Sequence, residues 1–274
     1  MPKLLNFVEK IKMRKYLSLA FLALAILASS CQPKVNQTGN DKNEKLVFST
    51  LYVQQAAEFK ALTIQAYNIG KLRLDEILKA DRNSTKKLAV VVDIDETVLD
   101  NSPFEAKSIL EKSSYPKYWK EWCSLAKASS VAGAKEFLSY AAEKGVETFY
   151  ISNRKVDLFQ PTLDNLKKNG FPYADTTHIL LRNKTSDKEP RRKSVEKNYE
   201  IILLFGDNLG DFTNLFDGKS TSNRHALVDQ MRSEFGKRFI VLPNPMYGAW
   251  DAAMFKDIKV DNKDSVYKAR LKSF

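Results

Sequence analysis

The chain has 274 residues, a formal charge of +11, two cysteines and two histidines. That length carries one large domain or two small ones, and 43% hydrophobic with 28% charged residues excludes wholesale disorder. His178 and His225 cannot build a three-histidine zinc site or a histidine-rich haem site, and two cysteines make neither a four-cysteine zinc site nor a disulfide scaffold, which leaves carboxylates, hydroxyls and lysines to carry any chemistry.

Residues 1–30 carry Lys3, Lys10, Lys12, Arg14 and Lys15 against one acid, Glu9, followed by the apolar run Tyr16 to Ala28 and the small residues Ser29 and Ser30. A basic start, a short apolar stretch and small residues before a cut describe a secretory signal, and the run falls short of the roughly 20 apolar residues of a membrane span. Cys31 directly after Ala28-Ser-Ser30 resembles the bacterial lipobox, in which that cysteine is lipidated and becomes the first residue. Met13-Arg-Lys15 offers an alternative start for the same signal. Residues 31–45 read as a polar tether, and acyl chains on Cys31 would anchor the protein to a membrane without a spanning helix. Removing residues 1–30 takes five positive charges and one negative from the formal +11, leaving +7. That balance suits small anions, and without a Lys/Arg-rich block or an RNA-reading motif no polymeric nucleic acid is expected as partner.

Residues 46–274 are expected to form one domain of alternating strands and helices. From Leu46 to about Ala80, apolar residues recur at helical spacing, predicting a long amphipathic helix or a pair. Leu88 to Asp93 is a continuous β-branched run, the mark of a strand buried on both faces of a parallel sheet. Residues 102–130 interrupt the rhythm and concentrate Tyr115, Tyr118, Trp119 and Trp122, which marks them as a small helical cap. Further strands are predicted over Val146 to Ser152, Ile179 to Leu181, Ile201 to Phe205 and Phe239 to Leu242. Helices are predicted at about 132–144, 156–169, 190–198 and 223–236, with Gly145 and Gly170 as stop signals. The alternation predicts a doubly wound, Rossmann-like α/β fold.

Ligands bind such sheets outside the carboxyl ends of the strands. Those ends read Asp93-Ile-Asp-Glu-Thr97, Ser152-Asn-Arg154, a lysine-rich segment after Leu181, and Gly206-Asp-Asn-Leu-Gly-Asp211. Two buried strands that end in acids, at Asp93 and Asp207, are unfavourable unless the acids meet a metal or a donor, and an all-oxygen site suits Mg²⁺. Asp93 and Asp95 are two apart, so both can face one site while Ile94 points into the core. Ser152 adds a hydroxyl and a lysine adds a cation, a pairing that suits a phosphate. An Asp after a strand is also a common turn former or helix cap, which applies to Asp95 or Asp211 taken singly.

The ordered set Asp93-Ile-Asp-Glu-Thr-Val-Leu-Asp-Asn-Ser-Pro103, Gly206-Asp-Asn-Leu-Gly-Asp-Phe212 and Leu242-Pro-Asn-Pro-Met-Tyr-Gly-Ala-Trp250 resembles the haloacid dehalogenase (HAD) superfamily, and within it the class C acid phosphatases, bacterial outer-membrane lipoproteins. The resemblance implies a Mg²⁺-dependent phosphatase acting on small phosphomonoesters, 5′-nucleoside monophosphates first among them. It implies Asp93 as nucleophile and Asp95 as acid and base. Mg²⁺ would lie between the carboxylates of Asp93 and Asp207 and the backbone carbonyl of Asp95, with Asp211 supporting it directly or through water. Ser152 and a lysine would hold the phosphoryl oxygens. Lys184, Lys188 and Lys193 all lie in the relevant stretch, and Lys188, just before Glu189-Pro190, fits the motif best. Asn153 and Arg154 would orient the phosphate loop, and Trp119 and Tyr247 would flank the leaving group. Trp122 either joins them or packs the cap, as Cys123 does. The location implied is the cell envelope, and the resemblance admits a homodimer. Other readings of the same residues are a broad phosphomonoesterase without nucleotide preference, a phosphomutase or phosphonatase, and a non-catalytic surface or adhesin lipoprotein.

Overall fold

The computed structural model describes residues 43–80, 85–256, 258 and 263–274, so Cys31 and the segment assigned to signal and tether up to residue 42 lie outside the described residues. The expected N-terminal helical stretch is a pair, α1 (Glu44–Gln55) and α2 (Ala57–Lys79), separated at Ala56 by an extended residue with ψ of 124°. Then come β1 (Lys87–Val92), β2 (Leu99–Asp100), α3 (Ser102–Leu110), α4 (Trp119–Leu125) and β3 (Ser129–Ser130). The chain continues through α5 (Ala134–Glu143), β4 (Glu147–Lys155), α6 (Phe159–Lys168), β5 (Ile179–Arg182), α7 (Glu189–Glu196) and β6 (Tyr199–Gly206). It closes with α8 (Thr221–Gln230), β7 (Phe239–Val241), α9 (Ala249–Ala253) and α10 (Lys263–Arg270). Among the described residues no helix is long and apolar enough to cross a membrane.

The five long strands form one parallel sheet in the order β5–β4–β1–β6–β7. Alternating side chains of β1 feed two cores, as a strand buried on both faces must. Val90 and Val92 face Tyr67, Leu74, Phe137 and Leu166 from α2, α5 and α6. Ala89 and Val91 face Val195, Phe212 and Phe239 on the other side. Helices on both faces and a central β1 make this the doubly wound α/β fold. Because β4 and β6 flank β1, the carboxyl ends of these three strands meet at one place.

Two elements differ from the sequence expectation, and the expected helical cap gains a strand pair at its base. β4 runs on through Lys155, and its register to β5 shifts between Ser152 and Lys155. Such an irregularity next to a site re-aims side chains, and here it turns Arg154 inward. The helix expected over 223–236 stops at Gln230, because residues 231–238 turn back so that Phe235 packs edge-on against Phe212 and Phe239. Finally, the stretch 102–130 carries α3 and α4 and is closed at its base by the antiparallel pair Leu99↔Ser130 and Asp100↔Ser129.

Candidate active site

β1 ends by handing its chain to a tight loop. The N–H groups of Val98 and Leu99 both donate to the Ile94 carbonyl, and Glu96 takes a left-handed φ of 58°. The buried Tyr67 hydroxyl of α2 donates to the Thr97 carbonyl at 2.7 Å, so the N-terminal helix pins this loop. Ile94 points into the core as expected. The loop presents Asp93 and Asp95 to a cavity of about 800 Å³, lined also by Lys188, Asp207, Asp211, Trp119 and Tyr247.

Oxygens of Asp93, Asp207 and Asp211 lie within 4.8 Å of one another. Lys188 reaches them from the start of α7, its Nζ 2.5 Å from Asp93 Oδ1 and 2.6 Å from Asp211 Oδ1. Lys184 and Lys193 are exposed, and Lys193 approaches only Glu189, at 3.9 Å. Lys188 is therefore the lysine of this cluster. Asp207 Oδ2 accepts from Asn244 at 2.8 Å, and Asp211 Oδ2 accepts from the Asn208 N–H at 2.9 Å. Buried Arg192 fixes that loop by donating to the carbonyls of Gly210 and Asp211.

Burial pushes the Asp93 carboxyl up to about 7, with Asp211 and Asp95 adding to the rise and Lys188 opposing it. Burial, then Asp211 and Asp93, push Asp207 well above the ordinary carboxylate range. For Lys188 burial pulls downward, but Asp211 and Asp93 outweigh it and push the ammonium up to about 12. Fully ionised, the three carboxylates would exceed the one ammonium by two negative charges, and burial and mutual repulsion hold protons on Asp93 and Asp207 instead. That donor set and that deficit fit a hard dication. Crowding at the cluster agrees, since a Cβ added at Gly206 would stand 2.3 Å from Asp211 Oδ2, so only glycine leaves this acid its place.

Asp95 is not one of the three clustered acids. Its Oδ1 accepts from Arg154 Nε at 2.9 Å and Nη2 at 2.8 Å and from Asn101 Nδ2 at 2.8 Å, while Ser152 Oγ lies 3.4 Å from Oδ2. Arg154 also donates to Asn101 and Thr162 and lies 5.6 Å from the centre of the Trp119 ring. Its planar fork is thus committed to holding Asp95. Ser152 is fully buried and accepts from the Arg154 N–H. Asn153, at the cavity wall, accepts through Oδ1 from Arg191 at 2.7 Å.

In the cap, Trp119 stands edge-on to Phe104 at 5.0 Å and to Tyr115 at 6.1 Å. Tyr247 is a partly exposed residue of the cavity wall. Trp122 instead donates from Nε1 to Asn101 Oδ1 at 2.8 Å and packs against the core. Cys123 is buried, which pushes its thiol up to about 12 and leaves it unreactive. Sequence reasoning missed Asn101, Asn244 and Arg192, which hold Asp95, Asp207 and Asp211. It also missed Glu96, a buried carboxyl that burial, with Asp95 and Asp207, pushes well above its usual range. Asn101 and Asn244 lie inside the quoted motifs, but an asparagine in a loop carries no signal of which distant acid it serves.

Residues 16–250 match the family described as HAD superfamily, subfamily IIIB (acid phosphatase). A crystal structure of Class C acid phosphatase from Bacillus anthracis with tungstate bound is similar to this chain at a TM-score of 0.81 and 43% identity, covering 85% of this chain and 99% of that one. A second structure of the Class C acid phosphatase from Bacillus anthracis gives 0.81 and 42% with the same coverage. Among curated proteins, the stem 31 kDa glycoprotein of Glycine max is 26% identical over 161 residues and vegetative storage protein 2 of Arabidopsis thaliana 30% over 169. These alignments take in 56% and 57% of this chain, which spans 57% and 55% of the two relatives' length.

Proposed function

We infer, from the premise that the chain belongs to the HAD superfamily, subfamily IIIB acid phosphatases, that it hydrolyses small phosphomonoesters with a bound Mg²⁺ through an aspartyl-phosphate on Asp93. The observation that carries this reading is the buried meeting of Asp93, Asp207 and Asp211 with Lys188 at the strand ends. Asp93, Asp207 and Asp211 would hold the cation, which supplies the positive charge that lets an anionic nucleophile approach an anionic phosphoryl group. Asp93 attacks phosphorus as the bond to the leaving oxygen breaks, and Asp95 gives that oxygen a proton. Asp95 then takes a proton from the water that cleaves the acyl phosphate and frees Asp93. Lys188 holds the phosphoryl oxygens as charge shifts onto them. The Bacillus anthracis relative binds tungstate, a tetrahedral oxyanion, in line with an oxyanion site.

The test is metal removal. EDTA is expected to abolish phosphate release, and Mg²⁺ to restore it; activity that survives exhaustive chelation overturns the metal assignment. The sign of the pH dependence follows from Asp93 and Asp207. Both are held above the usual range, so they bind protons that a cation must displace. Metal affinity should therefore fall as pH drops through about 7, where Asp93 takes up its proton, by up to about tenfold per pH unit, and Asp207 acts in the same direction. Calorimetric titration with Mg²⁺ at several pH values measures it.

The leaving group is proposed to be a nucleoside, with Trp119 and Tyr247 as stacking rings. Loss of one stacking ring should raise KM for AMP by about 5- to 150-fold, and KM for a small alkyl phosphate far less. Tyr247→Ala should act on KM alone. Trp119→Ala should also lower kcat for every substrate, because Arg154 lies against that ring and holds Asp95. Equal KM effects on both substrates would sink the stacking idea. We place the protein at the cell envelope, anchored through Cys31, on the strength of the Ala28-Ser-Ser-Cys31 sequence.

A further inference from the structure

The cavity wall carries three carboxyls that the reaction above leaves unused, Glu105, Asp187 and Asp217, of which Glu105 directly follows Phe104 of the aromatic cluster. Glu105 lies in the first turn of α3, and Phe104, Glu105 and Ser108 all line the cavity from one face of that helix. Glu105 is half-buried, and among the described residues its carboxylate has no hydrogen-bond or salt-bridge partner. Burial pushes it up to about 7, so above that value it carries a charge in a partly dry wall. A carboxylate in that setting is costly unless a ligand brings a positive charge to it. The rings of Phe104, Tyr115 and Trp119 cluster in the same wall, and Tyr247 joins them from another loop. Aromatic rings with a counter-charge among them are the combination that recognises an organic cation, through ring quadrupole and Coulomb attraction together. Of the cations in the cavity wall, Lys188 is paired with Asp93 and Asp211, Arg154 is tied to Asp95, Asn101 and Thr162, and Arg182 ends β5.

We propose that the cavity selects phosphomonoesters whose leaving alcohol carries a quaternary ammonium, with Glu105 as the specificity-determining counter-charge beside the Phe104, Tyr115 and Trp119 rings. The proposal rests on the phosphatase reading and adds a class of leaving group to it. Asp187, just before α7, and Asp217, after β6, also line the cavity.

The experiment compares phosphocholine with neohexyl phosphate, its uncharged carbon isostere, on the full-length Mg²⁺-loaded protein above the Glu105 value of about 7. Phenyl phosphate, which bears neither charge nor donor on its leaving group, reports whether the phosphatase reading holds. The expected result is a kcat/KM for phosphocholine about tenfold above that for neohexyl phosphate. That ratio should fall by about threefold or more in Glu105→Gln, the rings keeping the remainder, and persist in Glu105→Asp. A ratio of one in the wild-type protein while phenyl phosphate is hydrolysed overturns the proposal and leaves the phosphatase reading standing. A ratio unchanged in Glu105→Gln overturns the role of Glu105. Failure to hydrolyse any of the three esters overturns both.

Discussion

Asp93→Asn is expected to lower phosphate release by about 10⁴-fold or more, because an amide cannot attack phosphorus and form an acyl phosphate. The fold should survive. Asn has nearly the same shape, and Lys188 keeps Asp211 as a partner at 2.6 Å. The substitution should in fact favour the metal-free protein at neutral pH. Burial raises the Asp93 carboxyl from 3.8 to about 7, so the folded state holds this proton more tightly than the unfolded chain does. The stability that the carboxyl contributes is fully present below pH 3.8 and lost as pH rises through about 7. The wild-type melting temperature without metal should thus fall across that window relative to the Asn variant. Saturating Mg²⁺ should reverse the order, since about 100-fold excess over Kd adds roughly 2.7 kcal/mol to a protein that binds it. Full turnover in Asp93→Asn would remove this residue from the nucleophile's role.

The second large effect belongs to Lys188→Met. Among the described residues its ammonium is the one cation placed between Asp93 and Asp211, and without it three carboxylates face each other across a buried gap. Breaking a buried pair by removing one partner typically destabilises by about 3–5 kcal/mol. That loss should be seen in denaturant melts of the metal-free protein near neutral pH and shrink in acid, where Asp93 takes up a proton instead. Turnover should drop by about 10²–10³-fold through loss of a preorganised donor to the phosphoryl oxygens. Lys188→Arg should rescue neither property, because the larger planar guanidinium does not fit the buried space that the compact ammonium fills between Asp93 and Asp211. Exposed Lys184 and Lys193 serve as controls, and methionine at either should change turnover by less than about twofold. A loss of that size at either control, with Lys188→Met near normal, would move the role to the wrong-looking lysine.

Much of this was legible in the sequence because the sheet is buried on both faces. A strand with core on each side must be apolar throughout, so Leu88 to Val92 and Ile201 to Phe205 declare themselves, and so do the acids that end them. The loss of legibility begins where contacts are short in extent or long in separation. β2 and β3 hold two residues each, too few to show any alternation. The shift in β4 after Ser152 arises from its pairing with β5, a partner nearly thirty residues on, and nothing within Ser152-Asn-Arg154 announces it. For the same reason Arg154 reads as a residue for the phosphate, whereas its guanidinium is committed to Asp95, Asn101 and Thr162. Tyr67 of α2 looks like one more apolar position of an amphipathic helix, yet its hydroxyl pins the Asp93 loop.

The arm of contacts from Trp119 through Arg154 to Asp95 bears on how such a catalyst can diversify. A residue that only touches the leaving group can be exchanged freely as substrates change. Trp119 is not such a residue, since altering it disturbs Arg154, which holds Asp95, the proposed proton donor. Tyr247 sits on the opposite loop, outside that chain of contacts, with Gly248 beside it at φ 151°. New substrate ranges are therefore reached most directly by mutation at Tyr247 and its loop, while the cap tryptophan is held in place by the chemistry it adjoins. A library randomised at residues 245–248 should yield active variants with altered preference far more often than one randomised at Trp119.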